Sequence, residues 1–169
     1  MLMIRVARVE GKLWQESVVD GPGVRLVLFL AGCIHNCPGC HNAWLQDPTA
    51  GEAVREQEVV AELQSSFLPA WHDGITISGG DPFYQSIELA TLLALVRRSF
   101  PVIDTWVYTG ALYEELEGEP ALYYCNTLVD GPFIALRANE GQNYRGSGNQ
   151  RLIPLQQGKW QINNWSEVI

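Results

Sequence analysis

Val24-Arg-Leu-Val-Leu-Phe-Leu-Ala-Gly-Cys-Ile-His-Asn-Cys-Pro-Gly-Cys-His-Asn42 joins two pieces of chain with opposite chemistry. Up to Ala31 it is an apolar run interrupted only by Arg25, the pattern of a strand covered on both faces. From Gly32 it becomes a polar loop carrying Cys33, Cys37 and Cys40 at the spacing C-x3-C-x2-C. A doubly covered strand needs helices packed on its sheet, so the fold class expected is α/β. Open α/β sheets bind ligands beyond the carboxyl ends of their strands, which is where this strand delivers its cysteines.

Three thiolates in one loop offer soft donors to a soft-metal object. A 4Fe-4S cluster held by three cysteines leaves one iron without a protein ligand. Such an open iron binds a substrate, whereas a fully ligated cluster only passes electrons. Other readings use the same residues. Cys37-Pro-Gly-Cys40 alone has thioredoxin-type redox spacing, and with His41 it spells the C-x-x-C-H of covalent haem attachment. Neither gives Cys33 a role. Haem attachment also requires export, and Met1-Leu-Met-Ile-Arg-Val-Ala-Arg8 shows no apolar core or small-residue cleavage site. A zinc site of three cysteines plus His41 fits ligand chemistry, although a ligand adjacent to Cys40 is strained and such sites usually join knuckles distant in sequence. On spacing alone, cluster, zinc and redox thiols all stay open.

Downstream the chain alternates helix and strand. Gln57 to Phe67 carries Val60, Leu63 and Phe67 on a helical stripe, and Gly74 to Ser78 is a short strand ending in glycines. Ile87 to Phe100 is a helix with Leu89, Leu92, Leu93 and Val96 on one face, closed by Pro101. Asp104 to Thr109 reads as a strand, Ala111 to Leu116 as a short helix, and Asn126 to Val129 and Arg151 to Leu155 as further strands. This alternation predicts right-handed crossovers and a mainly parallel sheet. A closed eightfold barrel needs about 250 residues. With 169 residues the chain is expected to form a partial, open βα barrel. No repeat, low-complexity tract or linker divides it, so residues 1–169 are read as one domain.

Composition narrows the function classes. At 47% apolar and 18% charged residues the chain supports a globular core, and a net charge of −8 lacks the basic face of a nucleic-acid binder. No apolar stretch approaches the roughly 18 residues needed to span a membrane. Three of the four cysteines share one loop, which argues against a disulfide framework and for a reducing cytoplasm.

Asp20-Gly-Pro-Gly-Val-Arg25 precedes the apolar strand, and with Gly32 to Asn42 it resembles the radical S-adenosylmethionine enzymes, specifically the glycyl-radical-enzyme activases. Cys37-Pro-Gly-Cys40 and Arg145-Gly-Ser-Gly-Asn-Gln-Arg151 are similar to the branch serving anaerobic ribonucleotide reductase, which usually has a second serine where Gly148 stands. The likeness runs in patches from Ser17 to Leu152. It implies that Cys33, Cys37 and Cys40 ligate a 4Fe-4S cluster whose open iron is chelated by the amino and carboxylate groups of S-adenosylmethionine. It implies that Ser78-Gly79-Gly80-Asp81 contacts the methionyl amino group, with Asp81 in place of the family's glutamate. Thr109 and Asp130 are implied at the methionine end, together with a monovalent cation, since hydroxyl and carboxylate oxygens suit hard cations. His41 and Asn42 border the cluster, with His41 shielding or hydrogen-bonding its sulfide.

The implied activity is reductive cleavage of S-adenosylmethionine by an electron from a low-potential donor such as flavodoxin. The deoxyadenosyl radical then takes a Cα hydrogen from a glycine of the reductase large chain. Activation of a pyruvate formate-lyase type partner and small-molecule radical chemistry are the enzymatic alternatives. A zinc-stabilised interaction module is the non-enzymatic one. No second cysteine cluster is present for a ferredoxin-like insertion.

Bland readings stand beside these. Ser78 to Pro82 and Asp130-Gly-Pro132 both suit plain turns. Arg25 in an apolar strand suits a buried ion pair, Cys125 a small buried hydrophobe, and His72 the surface. Glu114, Glu115, Glu117 and Glu119 read as a solvated helix end. The 145–151 loop is glycine-rich but lacks the Lys-Ser or Lys-Thr of a phosphate loop, and its role is not legible.

Overall fold

The computed structural model describes residues 3–138 and 143–161. In chain order these form β1 (Ile4–Val6), β2 (Trp14–Ser17), β3 (Arg25–Leu30), β4 (Glu52–Val54), α1 (Glu56–Ser66), β5 (Gly74–Gly79) and α2 (Ser86–Ser99). Then follow β6 (Asp104–Tyr108), α3 (Tyr113–Leu116), β7 (Thr127–Asp130), β8 (Arg151–Gln156) and β9 (Lys159–Trp160). Among the described residues no helix is long and apolar enough to cross a membrane.

All nine strands lie in one sheet of order β4-β1-β3-β5-β6-β7-β8-β9, with β2 also paired to β3. The expected α/β class and unclosed sheet are present. The expectation of a mainly parallel sheet is overturned: β3–β5, β5–β6 and β6–β7 run parallel, whereas β1–β3, β1–β4, β2–β3, β7–β8 and β8–β9 run antiparallel. Parallel neighbours need a crossover, and the chain provides helices only around the central four strands. The flanking strands are mostly two to four residues long, too short to show a period in sequence.

The centre holds because β3 is apolar from Leu26 to Leu30 and β5 contributes Ile75 and Ile77, both strands being buried on both faces. Val59, Val60 and Leu63 of α1 and Leu89, Leu92, Leu93 and Val96 of α2 join Leu26, Leu28, Ile75, Ile77 and Val107 in one core. Helix α2 carries Glu88 in its first turn and Arg97 and Arg98 in its last, each on the side its dipole favours. Cys125 is buried in the same core, and burial pushes its thiol pKa up, so it is a small apolar filler as expected.

His72 departs from the expected surface placement, being only 5% exposed. Its Nδ1 accepts from the Leu68 amide at 2.9 Å and its Nε2 donates to Glu16 at 2.9 Å, fastening β2 to the connection between α1 and β5.

Arg25 is fully buried and meets a carboxylate, but that of Asp104 is 39% exposed, so only the cation of the expected buried pair is buried. The guanidinium donates to Asp104 Oδ2 at 2.8 Å, to Thr76 Oγ1 at 2.9 Å and to the Ile75 carbonyl at 2.6 Å, while lying over the Trp106 ring. This stitches the beginnings of β3, β5 and β6 together. Space is tight around it: a Cβ at Gly21 would sit 2.7 Å from Arg25 Cδ, and one at Gly74 would sit 2.5 Å from the Asp104 carbonyl. The Asp20-Gly-Pro-Gly-Val-Arg25 segment is therefore shaped to seat its own arginine. Arg25→Met should lower unfolding stability by roughly 3 kcal/mol, because several charge-assisted bonds vanish and the Thr76 and Ile75 acceptors stay buried, while half-exposed Asp104 regains water. Urea denaturation of the iron-free protein checks this, and a loss below about 1 kcal/mol would place the energy elsewhere.

Candidate functional site

The parallel strands β3, β5, β6 and β7 all end at one cavity of about 600 Å³. Cys33, Cys37 and Cys40 line it from the loop after β3, and all three are partly buried. The Cys37-Pro-Gly-Cys40 turn closes with the Cys40 amide on the Cys37 carbonyl at 3.2 Å, and Gly39 adopts φ +76°, where a side chain is disfavoured. Burial raises the Cys33 thiol pKa above its ordinary value.

The loop is held at both ends by backbone. Gly32 and Cys33 amides donate to the Leu45 and Gln46 carbonyls at 2.8 and 3.2 Å, and the Asp81 amide donates to the Gly32 carbonyl at 2.7 Å. Asn42 Nδ2 donates to the Gly79 carbonyl at 3.2 Å. Ser78, Gly79 and Gly80 reach the cavity directly, but the glycines answer a constraint inside the protein. A Cβ at Gly79 would lie 2.2 Å from the Leu30 carbonyl oxygen, and one at Gly80 would lie 2.4 Å from the Gly32 carbonyl oxygen. Their lack of side chains lets the end of β5 approach β3 and the cysteine loop.

Asp81 is 3% exposed and does not line the cavity; its carboxylate braces the walls. Oδ2 accepts from His35 Nε2 at 2.7 Å and from the Gly110 amide at 3.0 Å, and Oδ1 accepts from the Phe83 amide at 2.9 Å. The Thr109 hydroxyl donates to the same carboxylate at 2.9 Å. His35 lies between Cys33 and Cys37, so this one side chain couples the cysteine loop to the ends of β5 and β6. The hydrogen bond to Asp81 raises the His35 pKa.

Thr109 and His41 line the cavity, His41 with its ring 5.4 Å from that of Phe133. Asp130 does not. It is fully buried, accepts from the Tyr113 amide at 2.7 Å, and is gripped by Arg151 through Nε at 2.9 Å and through the terminal NH2. The expected placement of Asp130 at the methionine end is thereby corrected: its oxygens are committed to the protein, with Gly131 at the cavity in its stead.

The 145–151 loop, silent in sequence, forms the far wall. Gln150 Oε1 accepts from the Gly146 and Ser147 amides at 2.7 and 3.1 Å, while its Nε2 donates to the Gly131 carbonyl at 2.9 Å. Buried Ser147 accepts from the Ile134 amide at 3.1 Å, and Tyr108 donates to the Tyr144 carbonyl at 2.6 Å. The loop thus fixes Phe133 over His41. Tyr108 and Phe133, in segments whose likeness to activases implied pocket positions, line it; sequence reasoning did not assign Val18, Val19, Asp20 or Arg145 to the site, though all four line it too. Exposed Val18 and Val19 beside a glycine-rich turn were the one available signal.

Among the described residues no three His, Cys, Asp or Glu side chains converge as closely as a single metal ion requires. His41 is exposed, with its ring tilted against that of Phe133, which disfavours the zinc reading. A cluster spreads its ligands around a larger body, and three soft donors facing one cavity fit it.

Asp81→Ala should leave His35, the Gly110 amide and the Thr109 hydroxyl without their shared acceptor. The expected outcome is a lower thermal midpoint and faster iron loss to a chelator, with Cys125→Ala unaffected in iron retention. Equal chelation rates in Asp81→Ala and the parent would remove Asp81 from the support of the loop.

A model of a 4Fe-4S single cluster domain matches residues 19–153. The chain is 34% identical over 151 residues to the anaerobic ribonucleoside-triphosphate reductase-activating protein of Enterobacteria phage T4, spanning 88% of this chain and 96% of the relative. The Vibrio cholerae protein of the same name is 37% identical over 142 residues, covering 79% of this chain and 90% of its own. That of Escherichia coli K12 is 34% identical over 141 residues, with 79% and 90% covered.

Proposed function

Because the chain belongs to the anaerobic ribonucleoside-triphosphate reductase-activating proteins, a 4Fe-4S single-cluster family, we propose that it is a radical S-adenosylmethionine activase generating a glycyl radical on that reductase. The observation that carries this is the joint presence of the three cysteines and the Ser78-Gly79-Gly80 edge on one cavity wall. Cys33, Cys37 and Cys40 would hold the cluster. When bound, the cluster supplies an electron that splits the sulfur–C5′ bond of S-adenosylmethionine, giving a carbon radical able to take a glycine Cα hydrogen.

The protein's own part is binding, orientation and exclusion of water. Ser78, Gly79 and Gly80 form the cavity edge beside the cysteines, and Thr109 fixes the neighbouring strand end through Asp81. Phe133, Tyr108, Val18 and Val19 give the cavity apolar walls, which protects a reactive carbon from solvent. No acid or base is needed from the chain. A glycine suits as target, since its Cα carries no side chain and approaches closely, and its radical is stabilised by both flanking peptide groups. A low-potential donor such as flavodoxin, in a reducing cytoplasm, completes the reading.

Three convergent thiolates must all be present. Alanine at Cys33, Cys37 or Cys40 should therefore abolish cluster formation, while Cys125→Ala retains it. Iron and sulfide counting on the four anaerobically reconstituted variants decides this, and full cluster content in any of the first three sinks the assignment.

Under anoxia, mixing the reduced protein, S-adenosylmethionine and the anaerobic reductase of the same organism should produce a doublet in electron paramagnetic resonance. Deuterium at the target glycine Cα should collapse that doublet and appear in 5′-deoxyadenosine. Cofactor consumption with neither doublet nor label transfer would redirect the function to another glycyl-radical partner or to a small molecule.

A further inference from the structure

The likeness to activases implied a monovalent cation beside Thr109 and Asp130, and the residues present do not fit one. Both Asp130 carboxylate oxygens already face donors: Oδ1 accepts from Arg151 Nε at 2.9 Å, and Oδ2 accepts from the Arg151 terminal NH2 and from the Tyr113 amide. The Thr109 hydroxyl points its hydrogen at Asp81, while its oxygen accepts from the Ala111 amide at 3.1 Å. Tyr108 stands before Thr109 with its hydroxyl spent on the Tyr144 carbonyl. A desolvated Na⁺ or K⁺ needs several oxygens turned toward it. Here the oxygens that sequence offers are already turned toward hydrogen-bond donors.

We propose that the guanidinium of Arg151 is a built-in cation that neutralises Asp130 in the stead of a monovalent ion, so that folding and cofactor binding in this chain are independent of Na⁺ and K⁺. The Arg151 side chain is held too well to be an incidental partner. Its NH1 and NH2 donate to the two oxygens of Glu114 at 3.1 and 2.7 Å on the outer side, while Nε and NH2 face Asp130 on the inner side. The planar group also lies 5.2 Å from the centre of the Trp160 ring. A guanidinium matches a carboxylate bidentately and loses less hydration than a small ion, which suits it to a fully buried anion.

The pair is also well placed. Asp130 is the last residue of β7 and Arg151 the first of β8, and the two are register partners across that ladder. Asp130 is followed by Gly131, which lines the cavity. The fixed charge thus neutralises the buried carboxylate immediately behind the site without any ion having to enter. It also ties α3, through Glu114 and the Tyr113 amide, to the same point. Glu114 is therefore an ion-pair partner, not a merely solvated helix end.

The inference depends on the proposed function only for cofactor affinity; its structural half stands without it. The test compares thermal midpoints of the anaerobically purified protein in NaCl, KCl and tetramethylammonium chloride at equal ionic strength. The parent should melt at the same temperature in all three. Arg151→Ala, which exposes a vacated anionic site, should melt lower in tetramethylammonium and gain stability saturably with Na⁺ or K⁺. Should that variant not fold, the parent's melting series and its S-adenosylmethionine titration in the three salts decide the matter alone. A parent midpoint or cofactor affinity that rises saturably with Na⁺ or K⁺ overturns the proposal. So does a folded Arg151→Ala indifferent to both ions. Failure of S-adenosylmethionine to bind in any salt counts against the activase reading and leaves the melting comparison to judge the arginine.

Discussion

The site depends on one buried carboxylate. Asp81 accepts from a cysteine-loop histidine, from two backbone amides and from a threonine on the next strand, so three segments of chain share one acceptor. A buried anion of this kind is stable only when fully hydrogen-bonded, and that requirement works in reverse as a positional constraint. Moving any donor leaves charge unmet in a poorly solvated place. The cysteine loop, the end of β5 and the end of β6 therefore hold a common geometry.

Two arginine–aspartate pairs frame the same sheet from different strands. Arg25 with Asp104 joins the beginnings of β3, β5 and β6, while Arg151 with Asp130 joins the end of β7 to the start of β8. Each places a planar cation where several backbone or side-chain acceptors converge, and each is stacked on a tryptophan. Strand order alone would leave the sheet free to slide or splay at its polar ends. The pairs pin it there, and glycines at Gly21 and Gly74 keep the space open for the first of them.

What was legible in the sequence follows the physics of signal. Strands β3, β5, β6 and β7 and helices α1 and α2 announce themselves because double-sided burial and a one-faced helix each leave a period in the residues. Strands β1, β2, β4 and β9 leave none, being short and at or near the sheet's edges, so the expected parallel sheet acquired antiparallel flanks. The cysteine spacing pointed to one ligand loop, but on spacing alone a cluster, zinc and redox thiols all stayed open. Gly79 and Gly80 were readable as a place of close approach, but not that the approaching group is the protein's own backbone. His35 and Asp81 lie 46 positions apart, and Asp130 and Arg151 lie 21 apart. No local pattern links residues at such separations. His72 was misplaced at the surface for the same reason, its partner Glu16 being 56 positions away.

The bonds that anchor the cysteine loop run through amides, carbonyls, Asn42 and the His35–Asp81 pair, and none of them uses a thiol. In small zinc modules the metal is the core, and removing it dissolves the fold. Here the frame is carried by a hydrophobic interior and by hydrogen bonds outside the donor set. Assembly of the polypeptide and insertion of the inorganic group are accordingly separate events. Loss of the inorganic group would then take away a part on which neither the hydrophobic interior nor these loop bonds rest.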